Sequence, residues 1–138
     1  MKEGTTGAPP PCSPPEAAHS GGQSGSGGQS GQSGPLLTEL YDLRVTVDRI
    51  EGRSVCGMSA GDYFELVNSA ELRIPEGRHF CLYALQAVLP LLPAKQRALP
   101  ESDWLERDTL VCCPDPEERL IMRIDRVGRC SLNTEELT

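Results

Sequence analysis

The composition of the chain changes abruptly at Pro35, and this change limits which part of it can fold. Residues 1–34 contain no aromatic and no branched aliphatic side chain. Such a segment cannot bury enough apolar surface to offset the conformational entropy lost on ordering its backbone. We therefore predict a disordered Gly/Ser/Gln/Pro-rich tail over residues 1–34 and a single folded domain over residues 35–138.

The charge pattern excludes some classes of partner. The net charge is −7, and the basic residues are scattered along the chain. A protein that binds nucleic acid needs clustered Lys and Arg to neutralise phosphates, and an anionic membrane surface makes a similar demand. We therefore predict that neither nucleic acid nor a membrane is a partner.

The N-terminus and the apolar stretches indicate the compartment. The chain opens with Met1 and Lys2, and no apolar signal segment follows. The longest apolar stretch, from Phe80 to Leu92, is interrupted by Pro90 and is too short to span a bilayer. We expect a cytoplasmic protein, in which the six cysteines are free, metal-bound or redox-active rather than paired in disulfides.

Alternating apolar and polar residues predict strands. Residues 41–50 place Leu43, Val45 and Val47 on one face, which is the period of a half-buried strand. Further strands are predicted over residues 63–67, 71–74, 109–113 and 120–127.

One helix is predicted between the third and fourth strands. Residues from Phe80 to Leu89 are apolar at nearly every position, which is typical of a helix buried on more than one side. Its second cover would be the segment 91–108 or another subunit. The order β-β-β-α-β-β favours an α+β fold: a small, mainly antiparallel sheet with one buried apolar helix on one face.

Cys81 is the cysteine with the most distinctive surroundings. It lies in the first turn of the predicted helix, directly after Arg78 and His79. A helix N-terminus and cationic neighbours both favour a thiolate, as in nucleophilic or metal-binding cysteines. The alternative is that Cys81 is a small buried hydrophobic residue, as free cysteines usually are.

The other cysteines differ in how suitable they are as metal ligands. Cys112 and Cys113 are adjacent on a predicted strand, so their side chains point to opposite faces. Cys113 is the better candidate because the chain leaves the strand there. Cys130 lies beyond the last predicted strand and is a poor candidate, as is Cys12 in the tail.

Three cysteines could together form a metal site rich in soft ligands. Each lies at the end of a predicted element, so a site depends on the fold bringing these ends together. No CxxC motif is present to support it. The candidate ligands are Cys56, Cys81 and Cys113, with His79 or Asp115 as an additional ligand.

Several motifs resemble those of a family of small prokaryotic proteins of uncharacterised function. The resemblance spans residues 41–128 and leaves out the tail. Three cysteines recur in that family, and the resemblance implies that they correspond to Cys56, Cys81 and Cys113. Some members carry a histidine after the first cysteine, where this chain has Met58 and Ser59. The motifs are Cys56-Gly57, Gly61-Asp62-Tyr63-Phe64-Glu65-Leu66, Pro75 to Ala84, Val111 to Pro116 and Ile124-Asp125-Arg126.

Three functions remain open at this point. The first is a metal-binding accessory module that holds zinc or an iron–sulfur cluster through the three cysteines. The second is a non-catalytic interaction domain that packs its cysteines in the core and forms a homodimer. The third is a thiol redox protein with Cys81 as nucleophile. No GxSxG, P-loop, GxGxxG or HExxH motif occurs, so we favour a protein that is not an enzyme.

Overall fold

A computed structural model describes residues 34–137, so the tail prediction, with Cys12, lies almost wholly outside the described residues. The described part is an α+β structure built from five strands and short helices. The strands are β1 (Leu37–Ile50), β2 (Tyr63–Val67), β3 (Glu71–Arg73), β4 (Leu110–Cys112) and β5 (Leu120–Asn133). The helices are α1 (Leu82–Val88), α2 (Leu92–Lys95) and α3 (Trp104–Arg107), and 3₁₀ turns cover Leu89–Leu91 and Thr134–Glu136.

The strands form one antiparallel sheet in the order β3-β2-β1-β5-β4. The two long strands β1 and β5 pair along nearly their whole length at the centre, and shorter hairpin partners flank them. The register shifts twice, leaving Asp48 of β1 and Val127 of β5 without an opposite residue. Such bulges bend and twist a sheet locally. The predicted α+β class and mainly antiparallel sheet are confirmed.

The core lies on one face of this sheet. Leu43, Val45 and Val47 are at most 1% exposed, as their alternation in the sequence predicts. Their neighbours between these positions are partly exposed, and Arg44 forms an ion pair with Glu65 of β2 at 2.6 Å. The rest of the core cluster comes from β2, β5, the helices and two loops: Phe64, Leu120, Met122, Ile124, Ala84, Val88, Leu92, Met58 and Cys113.

The prediction of a helix buried on more than one side is wrong. Helix α1 has only seven residues, and only Ala84 and Val88 are buried. Leu82 and Tyr83 are 69% and 65% exposed, since the sheet offers the helix a single face. Pro90 interrupts regular α-helix soon after Val88, because proline lacks an N–H and restricts the residue before it.

The prediction that Cys130 lies beyond the last strand is also wrong. Strand β5 continues to Asn133, and Cys130 pairs with Leu40 of β1. Both side chains are at most 4% exposed, although neither belongs to the core cluster beneath α1. Over residues 34–137 the structure contains no helix with the length and apolar character needed to cross a membrane.

Candidate functional site

Two of the three predicted ligands lie on segments that contact each other. Cys56 lies in the loop between β1 and β2, and Cys81 directly precedes α1. Both thiols are partly buried and border the core cluster. The two segments are in contact, since His79 Nε2 lies 3.0 Å from the Cys56 carbonyl oxygen and the Cys81 N–H donates to Met58 Sδ at 3.1 Å. The fold therefore brings into contact two segments, each with one predicted ligand, that are far apart in sequence.

A buried carboxylate accepts a hydrogen bond from the Cys56 thiol. Glu118 comes from the loop between β4 and β5 and is 3% exposed. The Cys56 thiol donates a hydrogen bond to Glu118 Oε1 at 2.9 Å, and the backbone N–H groups of Val55 and Cys56 donate to the same oxygen. A buried charge needs such partners, because burial without hydrogen bonds is costly.

The ionisation of the pair follows from these contacts. Burial is the largest influence on Cys56, followed by the hydrogen bond to Glu118, and together they raise the pKa of the thiol to about 12. Burial also acts to raise the pKa of Glu118, but the hydrogen bonds from Cys56 and Val55 outweigh it and lower that pKa below its usual value. At neutral pH the structure therefore pairs a protonated thiol with an ionised carboxylate.

The backbone around Glu118 is hydrogen-bonded to the residues that directly follow β1. Gly52 N donates to Glu118 O at 2.9 Å, and Arg53 N donates to Glu117 O at 3.0 Å. Asp115 Oδ1 accepts hydrogen bonds from the N–H groups of Glu117 and Glu118, which shapes the turn. The Asp115 carboxylate, predicted as an additional ligand, is thus engaged within its own loop.

The two residues before Phe80 are also engaged away from the Cys81 sulfur. Arg78 forms an ion pair with the buried Asp62, and His79 Nε2 donates to the Cys56 carbonyl oxygen at 3.0 Å. Cys81 itself is the residue before α1, rather than part of its first turn. Cys81 is thus the N-cap residue of α1, and the prediction of a reactive thiol at the helix N-terminus stays a prediction.

Cys113 is buried in the core cluster, at 6% exposure. Its sulfur accepts the Leu120 N–H at 3.3 Å and lies 3.8 Å from the Asp115 carbonyl oxygen. Among residues 34–137, no group of three or more His, Cys, Asp and Glu side chains is arranged so that it could hold a metal ion. The ligand set Cys56, Cys81 and Cys113 therefore stays a prediction.

Sequence reasoning missed two residues of this site. Glu118 looks like an ordinary solvated residue of a polar hairpin loop, and no local pattern marks it as buried. Met58 is 2% exposed although it lies in a glycine-rich loop, and its Sδ accepts the Cys81 N–H at 3.1 Å. A large apolar residue within such a loop is the one signal that could have identified it.

No family model, no curated protein and no solved structure matches the chain. The resemblance to the prokaryotic family stays a prediction for this reason.

Glu118→Gln is expected to speed alkylation of Cys56. The substitution removes the negative charge that helps to keep this thiol protonated, so the pKa of Cys56 falls from about 12. Each unit of decrease raises the thiolate fraction about tenfold at a pH below the pKa. The measurement is the rate of iodoacetamide labelling of the Cys56 peptide between pH 7 and 10, followed by mass spectrometry. Glu117→Gln, at the exposed neighbour, is the control, and equal rates in both variants would contradict the assignment.

Proposed function

We propose that the protein is a small accessory module that binds a metal ion through cysteine thiolates. Cys56 and Cys81 are the central ligands, and Cys113 is the candidate third ligand. The observation that carries this proposal is the contact between the loop that carries Cys56 and the segment that leads into Cys81, with both cysteines at the border of the core. Partly buried thiols at such a position are accessible to an ion and shielded from bulk water.

Glu118 suits a role beside such an ion. A thiol binds a metal as the thiolate, so Cys56 must lose its proton on binding. The Glu118 carboxylate, 2.9 Å from the Cys56 sulfur, is the neighbouring group that can accept this proton. The buried Cys113 and the Cys56–Glu118 pair both belong to the region where the β4–β5 loop meets the end of β1.

Elemental analysis tests this proposal on full-length protein purified without oxygen and without an affinity metal. We expect near-stoichiometric metal in the wild type and loss of that metal in Cys81→Ala. Cys112→Ala is the matched control, because Cys112 is exposed and lies outside the site. A folded, metal-free protein that takes up neither zinc, iron nor copper on reconstitution would refute the proposal.

The exposed side of α1 favours a second candidate function. Leu82, Tyr83 and Leu89 are 46–69% exposed, an unusual density of large apolar side chains on one short segment. This favours the interaction domain, with a second copy of the chain as partner and with the cysteines as packing residues. The two candidates differ in the elemental analysis, since packing cysteines require no metal and no cysteine substitution would then change the metal content.

A further inference from the structure

Helix α3 presents a tryptophan and an arginine to solvent on the same side. Leu105 is 6% exposed, and Glu106 forms an ion pair with Arg126 of β5 at 2.6 Å. These two contacts fix the middle of the short helix to the domain. Trp104 and Arg107 are three residues apart, which makes them neighbours on a helix surface, and both are exposed.

A shallow hollow lies beside these two side chains. Trp104 is 64% exposed, although a ring of this size is typical of binding interfaces. The two carboxylates of the hollow each accept a hydrogen bond from a backbone N–H group. Arg107 forms no ion pair within residues 34–137, so its charge is left to meet a ligand. The hollow has a volume of about 590 Å³ and is lined by Ser102, Asp103, Trp104, Arg107 and Asp108.

The tail contains a segment whose chemistry matches this hollow. Segments with a PxxP pattern bind aromatic surfaces as polyproline II helices, which have no internal hydrogen bonds and need no core of their own. Residues 11–14 read Pro-Cys-Ser-Pro, and further prolines stand at positions 9, 10 and 15. Glu16 follows directly and has the charge opposite to that of Arg107. Proline rings against Trp104 and Glu16 against Arg107 would engage both side chains that α3 exposes.

The length of the connecting chain allows this contact within one molecule. Residues 17–36 separate Glu16 from the start of β1, and a Gly/Ser-rich stretch of this length spans roughly 25 Å on average. A domain of about one hundred residues has a radius of gyration of about 13 Å, so this span is comparable to its width. A ligand attached in this way has an effective concentration in the millimolar range, so even weak affinity produces docking.

We propose that residues 9–16 dock on Trp104 and Arg107 of the same chain as a polyproline II segment. The inference goes beyond the metal module and does not depend on it, because the hollow contains none of the candidate metal ligands.

Tryptophan fluorescence of the full chain tests this proposal, since Trp104 is the only tryptophan in the sequence. The test variant is Pro11→Ala/Pro14→Ala. Loss of docking is expected to move its emission to longer wavelength and to raise its acrylamide quenching constant about twofold or more. The matched control is Gln29→Ala/Gln32→Ala, which is expected to behave as the wild type. Equal emission and quenching in all three proteins would overturn the proposal.

A charge reversal tests the contact between Glu16 and Arg107. Glu16→Lys is expected to lower the ratio of docked to undocked chains about two- to fivefold, which is the range of an exposed ion pair. Addition of Arg107→Glu to this variant is expected to restore the quenching of the wild type. Persistent quenching in the double variant, with an unchanged circular dichroism spectrum, would overturn the pairing of these two residues.

Dilution distinguishes the chain's own tail from that of a second copy. Docking within one chain predicts a quenching constant that is independent of protein concentration. Protection of Trp104 that is lost on dilution would assign the hollow to the tail of another copy and would overturn the proposal.

Discussion

Gly52→Ala is expected to destabilise the protein by about 4 kcal/mol or more, an exceptional effect for the addition of one methyl group. A Cβ at this position would lie 1.9 Å from Glu117 O and 2.8 Å from Glu118 O. Both are backbone atoms, and hydrogen bonds from Gly52 and Arg53 hold them in place. Relief of the contact would therefore require the β4–β5 loop to leave the end of β1. Urea unfolding followed by circular dichroism measures the loss.

Gly128→Ala is the matched control, because the new Cβ would meet the Asp42 side chain at 3.3 Å, and a side chain can rotate away. We expect this variant to remain within about 1 kcal/mol of the wild type. Equal stability of the two variants would show that the β4–β5 loop yields at little cost. Gly52 also affects the candidate site, because its N–H holds the backbone of Glu118, the residue that accepts the hydrogen bond from the Cys56 thiol.

The strands could be predicted from the sequence because their signal is local. Leu43, Val45 and Val47 alternate with polar residues, and the sheet buries these three side chains. The predicted second strand coincides with β2, Tyr63–Val67. The helix was predicted less well. Its apolar composition indicates burial on more than one side, whereas the fold buries only the side of α1 that faces the sheet. Local composition records how apolar a segment is, and the neighbouring elements decide how much of it is buried.

The site could be predicted only in part because it is assembled by tertiary contacts. Cys56 and Cys81 stand at element ends, which made them candidates, but their sequence separation does not indicate that their two segments are in contact. Glu118 gave no local signal, because burial of a loop carboxylate depends on donors from the distant residues Val55 and Cys56. Cys113 belongs to the core cluster that Cys56 and Cys81 border. Its sulfur, however, is hydrogen-bonded to the Leu120 N–H and the Asp115 carbonyl oxygen.

The site draws its rigidity from two separate attachments to the sheet. On one side the Gly52 backbone fixes the loop of Glu118, and on the other an aromatic pair fixes the segment that leads into α1. Phe64 of β2 lies edge-to-face against Phe80, with ring centroids 4.7 Å apart and an interplanar angle of 81°. Phe80 immediately precedes Cys81, so this pair sets the position of the second thiol.

Phe64→Ala is accordingly expected to destabilise the protein by about 3–5 kcal/mol, because the side chain is fully buried and its loss leaves a cavity in the core. Leu72→Ala, on the neighbouring strand β3 and 44% exposed, is the control and is expected to cost about 0.5 kcal/mol or less. Phe64→Leu refills most of the cavity without restoring the aromatic pair. It should recover much of the stability in urea unfolding while Cys81 still alkylates faster than in the wild type. If Cys81 in Phe64→Leu reacted at the wild-type rate, packing volume alone would hold that segment, and the aromatic contact would have no part in positioning the thiol.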